Sequence, residues 1–508
     1  MCWPKEPLPT NKAGRATRFW ICHCQSIQVR VFHITWFTFW LCFFGWFGTA
    51  NLQKAITEDL GLTTKDKAYA GGSAVASTII FRVLIGWICD KIGARYSYTI
   101  LLIISGIPIC LVSTVQNNVS YIIVHIFIGI VGASFVITQY HTTKMFSGNI
   151  VGIANATSAG WGNFGGGCAN FLMPFFMSAI ANNHDIPDTK AWRYAMLIPG
   201  FAYFIVAGIY FFCTQDTPKG NMEIKCGNND DTKKQDSNKV SPSFKEGAGD
   251  YRTWILFIVY AACFGVELTV LRFATLYFQH QFGASEKVAG TIVLSFSLMN
   301  LFARSLGGGV ADFVSNKFKT NAIQSRVWTL FIVLLLEAVF IALFALGRWV
   351  NTIAYSIFML LCFSMCVQSA EGVTFAVVPF VRPNSVGPVA GIVGAGGNVG
   401  AMIFAFALFA YVPDNLSYEA AWFILAAFVF IASFSCLLIS FTKEETAIAN
   451  EKMKEIKTDD TVKADDGETT KLTTDAESVV TTSSAGNLTT SPSEGNQSNH
   501  NGIEMADL

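Results

Sequence analysis

The sequence predicts an all-α membrane protein in which twelve transmembrane helices form two pseudo-symmetric halves of six. The chain is 52% hydrophobic and only 14% charged, whereas soluble domains carry about 25% charged residues. Twelve apolar segments are long enough to cross a bilayer, which takes about 20 helical residues. Short motifs also recur in the same order in both halves of the chain.

The apolar segments and the polar stretches between them define the predicted domains. The segments lie near 31–50, 68–88, 98–115, 121–141, 151–173, 195–213, 253–276, 288–311, 327–347, 352–379, 387–411 and 420–441. We therefore predict a basic N-terminal arm (1–30), a first half (31–213), a linker (214–252), a second half (253–441) and a tail (442–508). Linker and tail are too polar to bury a core, so we expect a flexible linker and a disordered tail.

The distribution of positive charge predicts the orientation in the membrane. Basic residues of the short loops that share the side of the N-terminal arm are Lys91, Arg95, Lys144, Lys317, Lys319, Arg326 and Arg382. Positive loops stay in the cytoplasm, so both termini are predicted to be cytoplasmic. The formal net charge of zero argues against a nucleic-acid partner.

Two motifs repeat between the halves. The pattern R-x-x-x-G-x-x-x-D occurs at Arg82, Gly86 and Asp90, and again at Arg304, Gly308 and Asp312. A glycine-rich stretch with one asparagine, GWGNFGGGCANFLMP at 160–174 with Asn163, has a second copy in GIVGAGGNVGA at 391–401 with Asn398. Parallel six-helix halves joined by a long loop are the plan of the major facilitator fold, whose site lies at the midplane between the halves.

The two repeated arginines are predicted to lie near the membrane midplane. Arg82 precedes Asp90 by eight residues, which is about 12 Å of helix. An intramembrane arginine costs about 3 kcal/mol unless it faces a cavity or a partner. The partner is either an intramembrane carboxylate, for which Glu267, Glu337 and Glu371 are available, or a shared anion. We favour the anion, because a guanidinium forms two parallel hydrogen bonds to a planar oxyanion.

The loop that closes the second span resembles the loop signature of the major facilitator superfamily. It reads Gly86-x-x-x-Asp90-x-x-Gly93-x-Arg95. Gly308, Asp312 and Arg326 form a looser second copy. The aspartate of such a motif is expected to accept hydrogen bonds at a neighbouring helix N-terminus and so to lock the cytoplasmic gate.

The two glycine–asparagine stretches resemble the signature motifs of the nitrate/nitrite porter family, and most closely those of eukaryotic high-affinity nitrate transporters. Further matching stretches lie at 45–52, 132–135, 216–221, 264–268 and 370–380. The resemblance implies transport of nitrate and nitrite. The substrate-binding residues that it implies are Arg82, Arg304, Asn163, Tyr260, Phe264 and Phe135, although Phe135 and Phe264 are equally consistent with ordinary packing in the bundle. Asn398 takes the place of Asn163 in the second copy, and Gly162, Gly165 and Gly397 are predicted to let the backbone approach the ion. Nitrate is flat and weakly hydrated, so aromatic faces can enclose it while arginines hold its oxygens.

The resemblance further implies proton symport across the plasma membrane by a multi-pass protein. Glu267 and Glu371 are the proton-coupling candidates, with His125 a weaker one, although each is equally consistent with a structural hydrogen bond. The alternatives are a nitrate/nitrite exchanger, another small-anion porter and a nitrate receptor that does not transport. No nucleotide loop, metal spacing or nucleophile–base motif is present, so we expect neither an enzyme nor a cofactor or metal. An accessory membrane subunit is left open.

Overall fold

A computed structural model describes residues 7–184, 186–222, 244–318, 321–409, 412 and 416–454, and these residues are almost entirely helical. The first half contains α1 (Ile27–Asn51), α2 (Gln53–Leu60), α3 (Thr64–Leu111), α4 (Asn118–Ile128), α5 (Ser134–Met145), α6 (Val151–His184) and α7 (Asp188–Cys213). A 3₁₀ turn joins α4 and α5 into one crossing.

Helix α3 accounts for two crossings. Its 48 residues would extend about 72 Å as a straight helix, more than twice the thickness of a bilayer core. The chain instead turns at Gly93, whose φ of 82° is left-handed. A side chain at Gly93 would also collide with the carboxylate of Asp216. Glycine is therefore required at this turn by both backbone and space.

The second half contains α8 (Phe244–Gly249), α9 (Tyr251–Tyr260), α10 (Val266–Phe282), α11 (Glu286–Leu298), α12 (Ala303–Lys317), α13 (Ala322–Ala345), α14 (Gly347–Val350), α15 (Ile353–Val381), α16 (Val386–Ile403), α17 (Tyr418–Ser435) and α18 (Lys443–Lys454). A π-turn (Ala261–Gly265) joins α9 to α10, and a 3₁₀ turn joins α11 to α12. Within the described residues, eleven helical segments are long and apolar enough to cross a membrane. One of them is the turning helix α3, so the twelve predicted crossings are confirmed.

The halves meet through two pseudo-symmetric helix pairs, α3 with α16 and α6 with α12. A Cβ atom on Gly86 would overlap the carbonyl of Gly387, and one on Gly308 would overlap the carbonyl of Gly152. Transmembrane helices approach this closely where small residues line both partners. The repeated glycine of each motif therefore sets the distance between the halves.

We call the end of the bundle that carries residues 7–26 and α18 the terminal face. There the Asp312 carboxylate accepts hydrogen bonds from the backbone N–H groups of Gly152 (3.1 Å) and Ile153 (2.7 Å) in the first turn of α6. Arg326 forms an ion pair with the same carboxylate at 2.7 Å. Asp90 lies at the start of α16, next to Gly387. These contacts hold the halves together at the terminal face.

The linker and tail are more ordered at their ends than the sequence predicted. Asp216, inside the predicted linker, accepts a hydrogen bond from the backbone of Arg95 at 2.8 Å, and α8 lies near the linker's other end. The tail begins with helix α18, because Arg252 binds Glu445 at 2.8 Å. Prediction of a flexible linker and a disordered tail is therefore wrong for these ends, whereas residues 223–243 and 455–508 lie outside the described part of the chain.

Candidate anion site

Three aromatic rings from both halves form a slot at the centre of the bundle. The Phe135 ring of α5 lies parallel to Tyr260 of α9, with centroids 5.8 Å apart and 18° between the planes. It is also parallel to Phe264 of the π-turn, at 6.3 Å and 8°. The ring of Phe375 in α15 lies perpendicular to that of Phe135, with centroids 4.8 Å apart. All four side chains are buried, so the slot is closed to solvent.

Arg82 of α3 lies against this slot and binds only neutral groups. Its guanidinium is fully buried and lies 5.0 Å from the Phe135 centroid and 5.3 Å from the Phe264 centroid. Nε donates to the carbonyl of Gly132 (3.0 Å), and Nη1 donates to the carbonyl of Gly394 (2.6 Å). Within the described residues, Nη2 has no hydrogen-bond acceptor. Arg82 thus carries a full positive charge beside the slot with one N–H group unsatisfied.

Arg304 of α12 lies on the same slot but has an acidic partner. Its guanidinium is 5.6 Å from the Phe135 centroid, and Nη2 donates to the hydroxyl of Tyr260 at 2.9 Å. Nη1 forms a buried ion pair with Glu371 of α15. The favoured interpretation, two arginines without acidic partners, is therefore wrong for Arg304, where the carboxylate alternative holds. The sequence could not decide this, because Glu371 follows 67 positions later.

The two repeated asparagines also differ in their hydrogen-bond partners. With its amide oxygen facing α3, Asn398 accepts hydrogen bonds from Arg82 Nε (3.2 Å) and Nη1 (3.0 Å). Asn163 is buried, and neither of its amide atoms has a hydrogen-bond partner in the described part of the chain. A buried amide without partners is costly. The predicted role of Asn163 in substrate binding stays a prediction.

The predicted glycines serve mainly helix packing. A Cβ on Gly162 would overlap the ring of Phe39, and one on Gly165 would overlap the backbone of Trp40, so both pack α6 against α1. A Cβ on Gly397 would lie 2.6 Å from the Phe264 ring and 3.0 Å from the Tyr260 ring. Gly397 therefore lets two of the slot rings approach α16.

The two proton-coupling candidates lie beside the slot in the second half. Glu267 of α10 accepts a hydrogen bond from Asn300 at 2.6 Å, and both Glu267 and Glu371 are buried. His125 instead bonds to Thr49 (3.1 Å) and to the backbone of Tyr121 (2.8 Å). The guanidinium of the gating-motif residue Arg95 lies over the ring of Phe211, and its Nη1 donates a hydrogen bond to the backbone carbonyl of Phe211 at 3.3 Å.

Sequence reasoning missed Phe375, Asn300 and the carbonyls of Gly132 and Gly394. Phe375 had a usable signal, because it follows Glu371 by four residues on one helix and so shares its face. Asn300 had none, since it lies in the 3₁₀ turn between α11 and α12, where helical spacing no longer predicts direction.

Comparison with known proteins agrees with this geometry. Residues 35–378 match the Major Facilitator Superfamily. High affinity nitrate transporter 2.7 of Arabidopsis thaliana is 36% identical over 443 residues, covering 85% of this chain and 88% of that protein. The chain belongs to the nitrate/nitrite porter family. Nitrate transporter 2.1 of Chlamydomonas reinhardtii is 35% identical, covering 78% of this chain and 72% of that protein. A nitrate/nitrite transporter, NrtP, of Picosynechococcus is 28% identical, covering 74% and 84%.

Solved structures support the fold of this porter. The proton:xylose symporter XylE has a TM-score of 0.59 at 16% identity, covering 80% of this chain and 94% of its own. FucP in the outward conformation has a TM-score of 0.57 at 12% identity, covering 81% and 100%. The porter is accordingly a multi-pass membrane protein of the major facilitator fold and a transporter rather than an enzyme.

Proposed function

We propose that this chain carries nitrate and nitrite across the plasma membrane by alternating access, coupled to protons, with both termini in the cytoplasm. The names of its relatives support the substrates. The basic loops at the terminal face support the orientation, because positive loops remain cytoplasmic.

The observation that carries the proposal is the state of Arg82. Its buried guanidinium has no carboxylate partner among the described residues and keeps one N–H group unsatisfied. Burying a charge without a counter-ion costs roughly several kcal/mol of desolvation free energy. A monovalent anion beside Arg82 removes that cost. Because the slot is bounded by parallel ring faces, a flat anion fits it better than a tetrahedral one.

Two arginines on opposite halves make anion binding sensitive to the position of the halves. Arg82 belongs to α3 and Arg304 to α12, and both face Phe135. An anion that bridges them draws the halves together. Rocking about the glycine contacts of α3–α16 and α6–α12 then exposes the slot to one face at a time, as expected for this fold.

Tracer uptake in cells that lack their own nitrate transport tests the proposal. Expressing cells should accumulate labelled nitrate, and more so from acidic medium. Uptake of labelled nitrate that occurs only after the cells are preloaded with nitrite would indicate an exchanger. A cellular response to nitrate without uptake would indicate a receptor. Surface-expressed protein that gives neither uptake nor exchange contradicts the proposal.

A further inference from the structure

The two arginines of the slot are held differently. Arg82 binds backbone carbonyls and an amide, whereas Arg304 is bound by the carboxylate of Glu371 and by the hydroxyl of Tyr260. Arg304 Nε has no acceptor among the described residues, but an oxyanion that also binds through Nη1 needs the N–H group that Glu371 holds. Glu371 is therefore an internal competitor for any anion that enters the slot.

Glu371 is also surrounded by other acidic groups. Glu267 acts on it electrostatically and accepts a hydrogen bond from Asn300. One carboxyl oxygen of Glu267 and one of Glu371 have no hydrogen-bond partner among the described residues. The remaining titratable or charged groups that act on it or on Arg304 are Glu337 of α13, Cys263 of the π-turn, Tyr260 of α9 and Arg82 of α3.

We propose that Glu371 couples anion binding to proton binding by exchanging its partner on Arg304, an inference that rests on the proposed function. Without anion, Arg304 pairs with ionised Glu371. When nitrate enters, Arg304 turns its N–H groups to the nitrate oxygens, and Glu371 takes one proton from water in the open half of the transport cycle. One anion and one proton enter together, so the charge of the closed slot is unchanged. Release reverses both steps.

The exchange gives the dependence on pH a definite sign. Because binding of the anion takes up a proton, affinity rises as pH falls, by up to about tenfold per pH unit where Glu371 starts ionised. Arg82 takes no part in this linkage, since it has no carboxylate to release. It provides the pH-independent share of the binding energy.

Proton uptake by the purified wild-type protein is the direct test. Nitrate added to detergent-solubilised protein in weakly buffered solution near about pH 7 should raise the pH, by an amount that saturates with nitrate binding. Nitrate affinity, measured in parallel by calorimetry, should rise as the pH is lowered. Nitrate binding without proton uptake and with the same affinity at all pH values overturns the inference and leaves the proposed function standing. Protein that binds no nitrate at any pH contradicts the proposed function itself.

Glu371→Gln separates coupling from binding. The amide cannot hold Arg304 as a carboxylate does, so the variant should bind nitrate with the affinity of the wild type at low pH, unchanged across the pH range and without proton uptake. Glu419→Gln is the matched control. Glu419 lies on α17, away from the slot, and forms an ion pair with Arg348 at 3.2 Å. This variant should keep the wild-type coupling between nitrate binding and proton uptake. If Glu371→Gln is unstable, the wild-type measurement still decides; if it folds and retains proton uptake, the assignment of Glu371 is wrong.

Discussion

At the scale of single residues, the site depends on how each charge is compensated. Arg82 is stabilised by ring faces and carbonyl dipoles, which leave its net charge in place. Arg304 is neutralised by Glu371. Two arginines at equivalent positions of the repeat are therefore compensated differently. In the proposed mechanism, Arg82 attracts the anion and Arg304 must first be released from Glu371.

Arg82→Lys should lower nitrate affinity by well over tenfold, roughly, while the protein still reaches the membrane. A lysine keeps the charge but replaces the planar fork, which reaches Gly132, Gly394 and the slot from three nitrogens, with one compact ammonium. Nitrate titration of purified protein measures the effect. Arg272→Lys, at an exposed arginine of α10, is the control and should bind normally. Unaltered affinity in Arg82→Lys would remove Arg82 from the site.

At the scale of helices, the glycine-rich stretches of α6 and α16 bring backbones together. Gly165 packs on the backbone of Trp40 in α1, and Gly397 packs on the rings of Phe264 and Tyr260. The stretch of α6 thus sets the distance between α6 and α1, and the stretch of α16 lets two rings of the slot approach its backbone.

Gly165→Leu should abolish nitrate uptake, because the new side chain separates α6 from α1 and displaces the slot. Gly208→Leu in α7 is the matched control, since a Cβ there meets no atom within 4 Å. Uptake normalised to surface expression compares the two. Normal turnover in Gly165→Leu would show that this contact opens freely during transport.

Helix α18 is held at the terminal face by Arg252, whose hydrogen bond lowers the pKa of Glu445. A carboxyl whose pKa is lowered by folding stabilises the folded state at pH values above its unfolded-state pKa, which is about 4.3 for glutamate. That contribution is lost as the pH falls through the folded-state pKa. We expect Glu445→Gln to raise amide hydrogen exchange in 443–454 at neutral pH, and acidification below about pH 4 to do the same in the wild type. Glu444→Gln, on the exposed neighbour, should change neither. Unchanged exchange in Glu445→Gln would show that Arg252 does not hold α18.

The number of crossings and the order of the motifs were predictable from the sequence, because hydropathy and helical spacing act locally. The slot was predictable only in part. Arg82, Phe135 and Tyr260 could be placed by the repeat and the family motifs, whereas the pairing of Arg304 with Glu371 depends on the rotation of α12 against α15. The order in α18 likewise depends on Arg252, which lies 193 positions earlier. Tertiary contacts of this kind leave no periodic trace.

At the scale of the whole molecule, two similar halves surround a closed slot and are held together at the terminal face. Asp312 of the second half binds the first turn of α6 in the first half. Arg326 completes this contact through its ion pair with Asp312 and through the carbonyl of Gly148 at 2.7 Å. In the proposed alternating access, this contact breaks when the slot opens to the terminal face.

Asp312→Ala should destabilise the protein by about 3–5 kcal/mol, because it leaves Arg326 buried without its counter-ion. Thermal unfolding in detergent should show a clear drop in Tm. Arg348→Ala removes an ion pair whose arginine is 55% exposed, and should cost only about 0–1 kcal/mol. Similar Tm values for the two variants would mean that Asp312 does not hold the halves together.

The most direct test of the central claim, that this slot carries nitrate together with a proton, is uptake of labelled anion into proteoliposomes that contain the protein, with current recorded in parallel. Nitrate, nitrite and chloride are compared at several external pH values. Because the exchange at Glu371 moves one proton with each anion, uptake of nitrate and nitrite should grow as the external pH falls, without net current, and uptake of chloride should stay small. Equal responses to chloride, or nitrate uptake that ignores the pH gradient, would contradict the account.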